Sequence, residues 1–439
     1  MSDLRRTELT VRRERALLLG AVRPDERSRL TKPLAELASL AHTARALVVG
    51  EVVQYLKHVH AGTYVGHGKA EEVRDLAKSL DVDVIICDHD LSGAQVRNLE
   101  TITGAKVVDR SELILDIFAT HARTRQARLQ VELAQLEYTF PRLVRMWTHL
   151  ERHEGGVGTR GPGETQLETD RRLVKRRIRD LKEELSHIAD RRRREVEGRA
   201  GEFKVGIVGY TNAGKSTLMN ALTDAGVLVE DALFATLDTK TTRWNLDGHG
   251  DVLLSDTVGF IRKLPHHLVA SFKATLEEAC HADLLLHVVD AAQLDAVEQA
   301  DAVLAVLGEL DCGDRRVLTL FNKVDAVVDD TALHILRRRF PDGVEISALN
   351  RTGLDALTAA VVRHRERDFA DVEVRFPSTD GKLAAFLHEK GDVREKRVAD
   401  VLTRMRVKLH RRFLVALSDH DGVEVRVVKA PGELPRETP

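Results

Sequence analysis

The chain has 439 residues and a formal net charge of −2. That length exceeds what one hydrophobic core serves, so two to four domains are expected, and the balanced charge excludes a globally basic nucleic-acid binder: any such affinity must sit in a local patch. Cys87, Cys280 and Cys312 lie far apart with no C-x-x-C pair, which argues against a zinc site and a disulfide framework and for a reducing cytosol. The polar start has no apolar leader-like run and apolar runs such as residues 283–292 are far short of a membrane span, so the expected setting is cytoplasmic, without membrane insertion.

Over residues 1–120 short apolar runs alternate with amphipathic ones. Residues 16–22, 46–53, 82–87 and 105–108 read as strands, and 34–42, 70–80, 92–102 and 112–119 as helices, which describes a small, mostly parallel α/β N-terminal domain. Within it, residues 62–69 (GTYVGHGK) read either as a plain turn or as a glycine-rich anion loop opening a helix, without the strict spacing of a nucleotide fingerprint.

Residues 121–200 change pattern. Leu129, Leu133, Leu136, Phe140, Leu143, Trp147 and Leu150 step alternately by four and three along one long helix, which Pro141 should kink, and Val174, Ile178, Leu181, Leu185 and Ile188 mark a second. Two such seams predict an antiparallel helical hairpin. Its joining loop, residues 155–164 (GGVGTRGPGE), is longer and richer in glycine than a turn between helices requires. Residues 123–199 carry 19 basic against 13 acidic side chains, a local net of +6. A solvated helix face accounts for many arginine runs. The excess around a slender tip points instead to RNA, with Arg160, Arg172, Arg176 and Arg179 as candidate phosphate contacts.

Residues 201–368 return to alternating strands and helices, with strands expected at 204–208, 244–246, 252–256, 284–290, 316–322 and 344–346: a doubly wound sheet. Residues 369–431 read strand, helix, strand, strand, helix, strand, the order of a ferredoxin-like domain. The tail, 432–439, is expected to be disordered. The whole is a multidomain α/β protein.

The chemistry concentrates in the third domain. Gly209, Tyr210, Thr211, Asn212, Ala213, Gly214, Lys215 and Ser216 form a complete P-loop between a strand and a helix that begins with Thr217. Such a loop closes backbone N–H groups around phosphates, sends its lysine to the β- and γ-phosphates and offers its serine hydroxyl to Mg²⁺. Asp256, Thr257, Val258 and Gly259 end an apolar strand, so Asp256 is placed for the Mg²⁺ shell and the Gly259 N–H for the γ-phosphate. Asn322, Lys323, Val324 and Asp325 end a later strand, and the Asp325 carboxylate matches the N1–H and N2 amino group of guanine. Adenine would leave it unpaired, hence GTP rather than ATP. Ser347, Ala348 and Leu349 supply a backbone contact to the base O6. Among Phe234, Ala235, Thr236, Leu237 and Asp238, Thr236 is the candidate switch threonine that closes on Mg²⁺. Lys215, Thr236 and Gly259 are thus the candidate catalytic groups, and Ser216, Thr236 and Asp256 the candidate metal ligands. Phe260 stands where Ras-like proteins carry a water-positioning glutamine, so slow intrinsic hydrolysis is expected, the site being completed by a partner, by a cation such as K⁺ beside Asn212, or by a rearranged backbone.

These motifs, with residues 155–172 (GGVGTRGPGETQLETDRR), 61–69 (AGTYVGHGK), 131–136 (VELAQL) and 256–261 (DTVGFI), resemble the HflX-type GTPases of the Obg-HflX superfamily over nearly the whole chain. The resemblance implies a bacterial factor that binds GTP and GDP, engages the large (50S) ribosomal subunit and its rRNA, splits or rescues stalled ribosomes, and hydrolyses GTP under ribosomal stimulation. It also implies that the hairpin tip approaches the peptidyl-transferase region, and that a hydrophobic residue at position 260 is a family habit. The alternative is a GTP-dependent module that parks on the 50S subunit in hibernation or assembly, hydrolysis only resetting it. A monomer is expected away from the ribosome.

Overall fold

The computed structural model describes residues 13–23, 32–147, 162–197, 202–223, 226, 233–234, 240–257, 259–262, 280–310, 312, 315–399, 401–411, 413–414, 417 and 422–429, with the backbone alone at 143–147, 162–168, 170 and 192–197. It divides into two compact units, Met1–Arg243 with Leu253–Leu349, and Trp244–Val252 with Asn350–Pro439.

The first unit opens with β1 (Arg15–Val22), buried along all but its first residue because helices cover both faces. It is flanked by β2 (Leu47–Tyr55) and β3 (Val84–Cys87), and β4 (Lys106–Val108) completes a parallel sheet of order β2-β1-β3-β4. The connecting helices are α1 (Ala35–Thr43), α2 (His67–Ser79) and α3 (Gly93–Thr103), with α4 (Arg110–His121) leading out. α3 is delimited by local chemistry: a Ser92/Gln95 capping box starts it and Gly104, at φ 73°, stops it. The glycine-rich loop before α2 is a tied-down turn. His60 and Tyr64 exchange backbone hydrogen bonds, the Gly66 N–H donates to Gln54 at 2.9 Å, and Lys69 pairs with Glu72.

α5 (Arg125–Trp147) runs through Pro141, and α6 (Pro162–Glu197) returns beside it. Leu129, Leu133 and Leu181 are buried between them, with Leu136, Ile178, Leu185 and Ile188 half-buried around that core. Arg125 pairs with Glu184 and Glu132 with Arg177, so numbers rise on one helix as they fall on the other: the hairpin is antiparallel. Leu143, Trp147 and Leu150, and the tip up to residue 161 with Arg160, fall where no side chain is described.

A six-stranded sheet of order β10-β9-β8-β5-β7-β6 follows, made of β5 (Lys204–Gly209), β6 (Lys240–Asn245), β7 (Asp251–Asp256), β8 (Leu284–Asp290), β9 (Arg316–Asn322) and β10 (Val344–Glu345). Its helices are α7 (Lys215–Leu222), α8 (Ala296–Glu309) and α9 (Thr331–Arg339). The strand expected at 244–246 lies earlier, at β6. Leu246 belongs to the turn, where its N–H bonds to the Gly250 carbonyl and Gly248 and Gly250 adopt φ of 87° and 79°.

The expectation of no disulfide, drawn from sequence spacing, is also corrected. Cys280 and Cys312 have their Cα atoms 5.0 Å apart and their sulfurs within bonding distance. The register explains it: Leu284 of β8 pairs with Arg316 of β9, and each cysteine lies four residues upstream of its strand's member of that pair.

In the second unit α10 (Leu354–Glu366) precedes β11 (Phe369–Pro377), α11 (Gly381–Lys390), β12 (Gly391–Val398), β13 (Leu402–His410) and β14 (Glu424–Lys429). The sheet order is β12-β13-β11-β14 with every pair antiparallel, so β13 splits the β11-α11-β12 unit as the strand order predicted. Alternation places Val372, Val374, Phe376, Met405, Val407 and Leu409 in the core. The second helix, expected near 411–418, and the tail lie largely or wholly outside the described residues.

Candidate nucleotide site

The P-loop leaves the carboxyl end of β5 and wraps Lys215. The ammonium donates to the carbonyls of Gly209 at 3.2 Å and Tyr210 at 2.8 Å. Burial pushes its pKa down to about 8, against the pull of Asp256 in the other direction. At that value the lysine is still mostly charged at neutral pH, and phosphate oxygens beside it would favour the charged form further. Two glycines are dictated by space: a Cβ on Gly209 would stand 2.3 Å from the Val288 carbonyl, and one on Gly214, at φ 94°, 2.3 Å from Asn322 Nδ2. Gly214 begins α7 without a side-chain cap, so the amino end of α7 turns its first-turn N–H groups, the anion-attracting end of a helix, toward the loop.

Ser216 Oγ donates to Asp256 Oδ2 at 2.9 Å, and Asp256 is wholly buried. A hydroxyl and a carboxylate brought together by α7 and β7 are hard oxygen donors of the kind Mg²⁺ takes, so these residues fit that ion. Gly259 passes so close that an added Cβ would meet Lys215 Nζ at 2.9 Å and Thr211 at 2.8 Å. The segment after it is zipped to the P-loop, with Thr211 N–H donating to the Phe260 carbonyl at 2.7 Å and Phe260 N–H to the Gly209 carbonyl at 3.1 Å. Phe260 itself is 2% exposed and offers no polar atom.

At the other end, Asn322 links two loops: Nδ2 donates to the Ala213 carbonyl at 2.8 Å, and Oδ1 accepts the Ala348 N–H at 3.0 Å. Lys323, at φ 61°, pairs with Asp290 at 2.8 Å. Asp325 is exposed on the short 3₁₀ turn Val324–Ala326, Ser347 is buried, and Leu349 is exposed. The structure thus gathers the loops of 209–217, 256–259, 322–325 and 347–349 at the carboxyl ends of β5, β7, β9 and β10. Phe234 is buried at φ 59° and meets Phe118 edge-on, while Ala235, Thr236, Leu237, Asp238 and Val258 lie outside the described residues.

Two of the candidate residues direct their side chains to other parts of the protein. Thr257 Oγ1 donates to the Ile207 carbonyl at 2.7 Å. Tyr210 turns its hydroxyl toward α1. Its hydroxyl donates to Glu36 and accepts the Arg262 N–H at 2.7 Å, while Arg110, 2% exposed, reaches Glu36, Asp88 at 2.8 Å and the Arg262 carbonyl at 2.8 Å. Glu36, Asp88, Arg110 and Arg262 were not legible as site neighbours, since no local pattern joins them. Asp290 carried one signal, a carboxylate ending a strand whose every residue is buried.

Three family models match: "GTP-binding GTPase N-terminal" over residues 31–119, "GTP-binding GTPase Middle Region" over 121–199 and "50S ribosome-binding GTPase" over 204–323. A GTPase HflX of Magnetococcus marinus is 44% identical over 422 residues, covering 94% of this chain and 97% of that one. The GTPase HflX of Escherichia coli K12 is 44% identical over 362 residues, 81% of this chain and 84% of that one. A GTP-binding protein of Sulfolobus solfataricus solved with GDP is 25% identical, covering 80% of this chain and 98% of that one, at a TM-score of 0.42, too loose to argue from. With the sequence relatives spanning nearly the whole chain and the P-loop, Asp256–Gly259 and Asn322–Asp325 gathered at one sheet edge, the chain belongs to the HflX family of GTPases.

Proposed function

We propose that this GTPase acts on the large ribosomal subunit, and that its GTP cycle drives the splitting or rescue of stalled ribosomes. The observation that carries the reading is the pairing, in one chain, of a GTPase domain with a helical hairpin on which Arg172, Arg176 and Arg179 are exposed. Exposed guanidinium groups along a helix fit the phosphates of rRNA. The relevant family model is itself described as a 50S ribosome-binding GTPase.

Within the cycle, the first-turn N–H groups of α7 and the Lys215 ammonium bind the β- and γ-phosphates. Ser216 and Asp256, with Thr236, would hold Mg²⁺, which would supply positive charge against that of the phosphates. The Gly259 N–H meets the γ-phosphate, Asp325 selects guanine, and Ala348 N–H, already oriented by Asn322, reads its O6. Nothing at position 260 orients the attacking water, because a buried phenyl ring can neither donate nor accept. In this reading the ribosome supplies the missing group.

Single-turnover hydrolysis of GTP, measured alone, with 50S and with 30S subunits, tests this. The expected result is acceleration by 50S subunits only. Equal rates in all three would remove the large subunit as the source of catalytic help.

A further inference from the structure

We propose that Cys280 and Cys312 form a reversible redox site, a dithiol that hydrogen peroxide converts to a disulfide and small thiols restore. A Cα separation of 5.0 Å falls within the roughly 4.4–6.8 Å a disulfide requires, so no backbone movement is needed to close it. The β8–β9 register fixes that separation from both sides, since each cysteine enters its strand four residues later. Both sulfurs lie beside one polar group, the Leu310 carbonyl, at 3.6 Å from Cys280 and 3.7 Å from Cys312.

Exposure divides the labour. Cys280 is 9% exposed and Cys312 only 1%, so a small oxidant reaches Cys280 first and Cys312 resolves the product. The Cys280 thiolate attacks one peroxide oxygen; an S–O bond forms, the O–O bond breaks, and hydroxide leaves to become water with the thiol's proton. The Cys312 sulfur then attacks the sulfenic sulfur; the S–S bond forms, the S–O bond breaks, and a second water carries away that oxygen with the second thiol's proton. Two thiols lose two electrons in all, and one peroxide becomes two waters. The third cysteine is an internal control. Cys87 is fully buried in another sheet, and burial, with Asp109 and Asp88 nearby, pushes its thiol well up, away from reactivity.

The pair lies at the amino ends of β8 and β9, whereas Asp290 and Asn322 face the nucleotide from their carboxyl ends. Oxidation therefore ties the chain across a sequence separation of 32 residues without touching the GTP site. It also caps Cys280 before it proceeds to sulfinic acid, which is irreversible for most proteins.

The test uses the full-length protein treated with hydrogen peroxide, then unfolded and alkylated. The oxidised protein is expected to take one alkyl group where the reduced protein takes three, to yield a Cys280–Cys312 cross-linked peptide, and to recover on dithiothreitol. The first thermal midpoint should rise by roughly 10 °C over the dithiothreitol-treated parent, with GTP affinity unchanged. Cys312→Ala should leave a Cys280 sulfenic acid that dimedone traps. Three alkyl groups after peroxide, or a cross-link to Cys87, would overturn the proposal, and because the reduced parent is its own control, a poorly folding variant does not decide the matter.

Discussion

Tyr210→Phe removes one oxygen from the junction of the P-loop, the segment after Gly259 and α1. The ring keeps its packing, since Tyr210 is 6% exposed and Phe fills the same space. What goes is the hydrogen bond to Glu36 and the acceptor of the Arg262 N–H. Glu36 retains Arg110, so its charge stays paired, while the Arg262 N–H loses its partner. A stranded donor costs about 1–3 kcal/mol and a bond to a charged group contributes about 1.5–3, overlapping to a total of roughly 2–4 kcal/mol. In a unit of this size that lowers the thermal midpoint by roughly 5–15 °C, read by calorimetry. The Tyr210 carbonyl that binds Lys215 is untouched, so GTP affinity should stay within about threefold, under about 0.7 kcal/mol. A variant as stable as the parent but binding GTP about tenfold more weakly would refute the geometry and return the hydroxyl to the nucleotide.

Asp325→Asn should weaken GTP binding and favour xanthosine triphosphate, whose base edge matches an amide; unchanged GTP affinity by titration would defeat the base-site assignment. Removing charge at Arg172, Arg176 and Arg179 should flatten the salt dependence of ribosome binding by up to about three in slope, leaving GTP affinity alone, and equal slopes would return these arginines to a solvated face. If Asn212 ligates K⁺, hydrolysis runs faster in K⁺ than in Na⁺ at matched ionic strength and Asn212→Ala abolishes the difference; identical parent turnover in both salts excludes the cation. His287 is fully buried on β8 with neither ring nitrogen hydrogen-bonded, and burial pushes its pKa down to about 4. Because the unfolded chain takes up that proton near pH 6.5, the stabilising effect of the neutral ring is complete above about 6.5 and lost as pH falls toward 4. His287→Leu should add about 1–3 kcal/mol at pH 7 and flatten the acid limb of the stability profile, and a destabilised variant with the same acid limb would contradict this.

The motifs were legible because each is a run of neighbours whose backbone conformation and side chains serve one ligand. Gly209 and Gly214 could be read as glycines a P-loop needs, although what forbids a Cβ, the Val288 carbonyl and Asn322, lies far along the chain. The hairpin was equally legible, since its seam repeats every seven residues. The Tyr210–Glu36 and Arg110–Arg262 contacts were not: they join positions 174 and 152 residues apart, and no periodicity relates a P-loop tyrosine to a glutamate in the first turn of α1. The cysteine pair was hidden for a related reason. Sequence separation says nothing about distance once strand register is set, and Cys280 and Cys312 meet because their strands run side by side from the same level.

The central claim, that GTP drives work on the ribosome, is tested most directly by sedimenting 70S ribosomes through a sucrose gradient with this protein and a non-hydrolysable GTP analogue. Free 30S subunits and protein-bound 50S subunits should accumulate, and omission of the nucleotide should restore the 70S peak. An undiminished 70S peak, with the protein bound only to pre-existing 50S subunits, would contradict splitting and favour a module that parks on the large subunit.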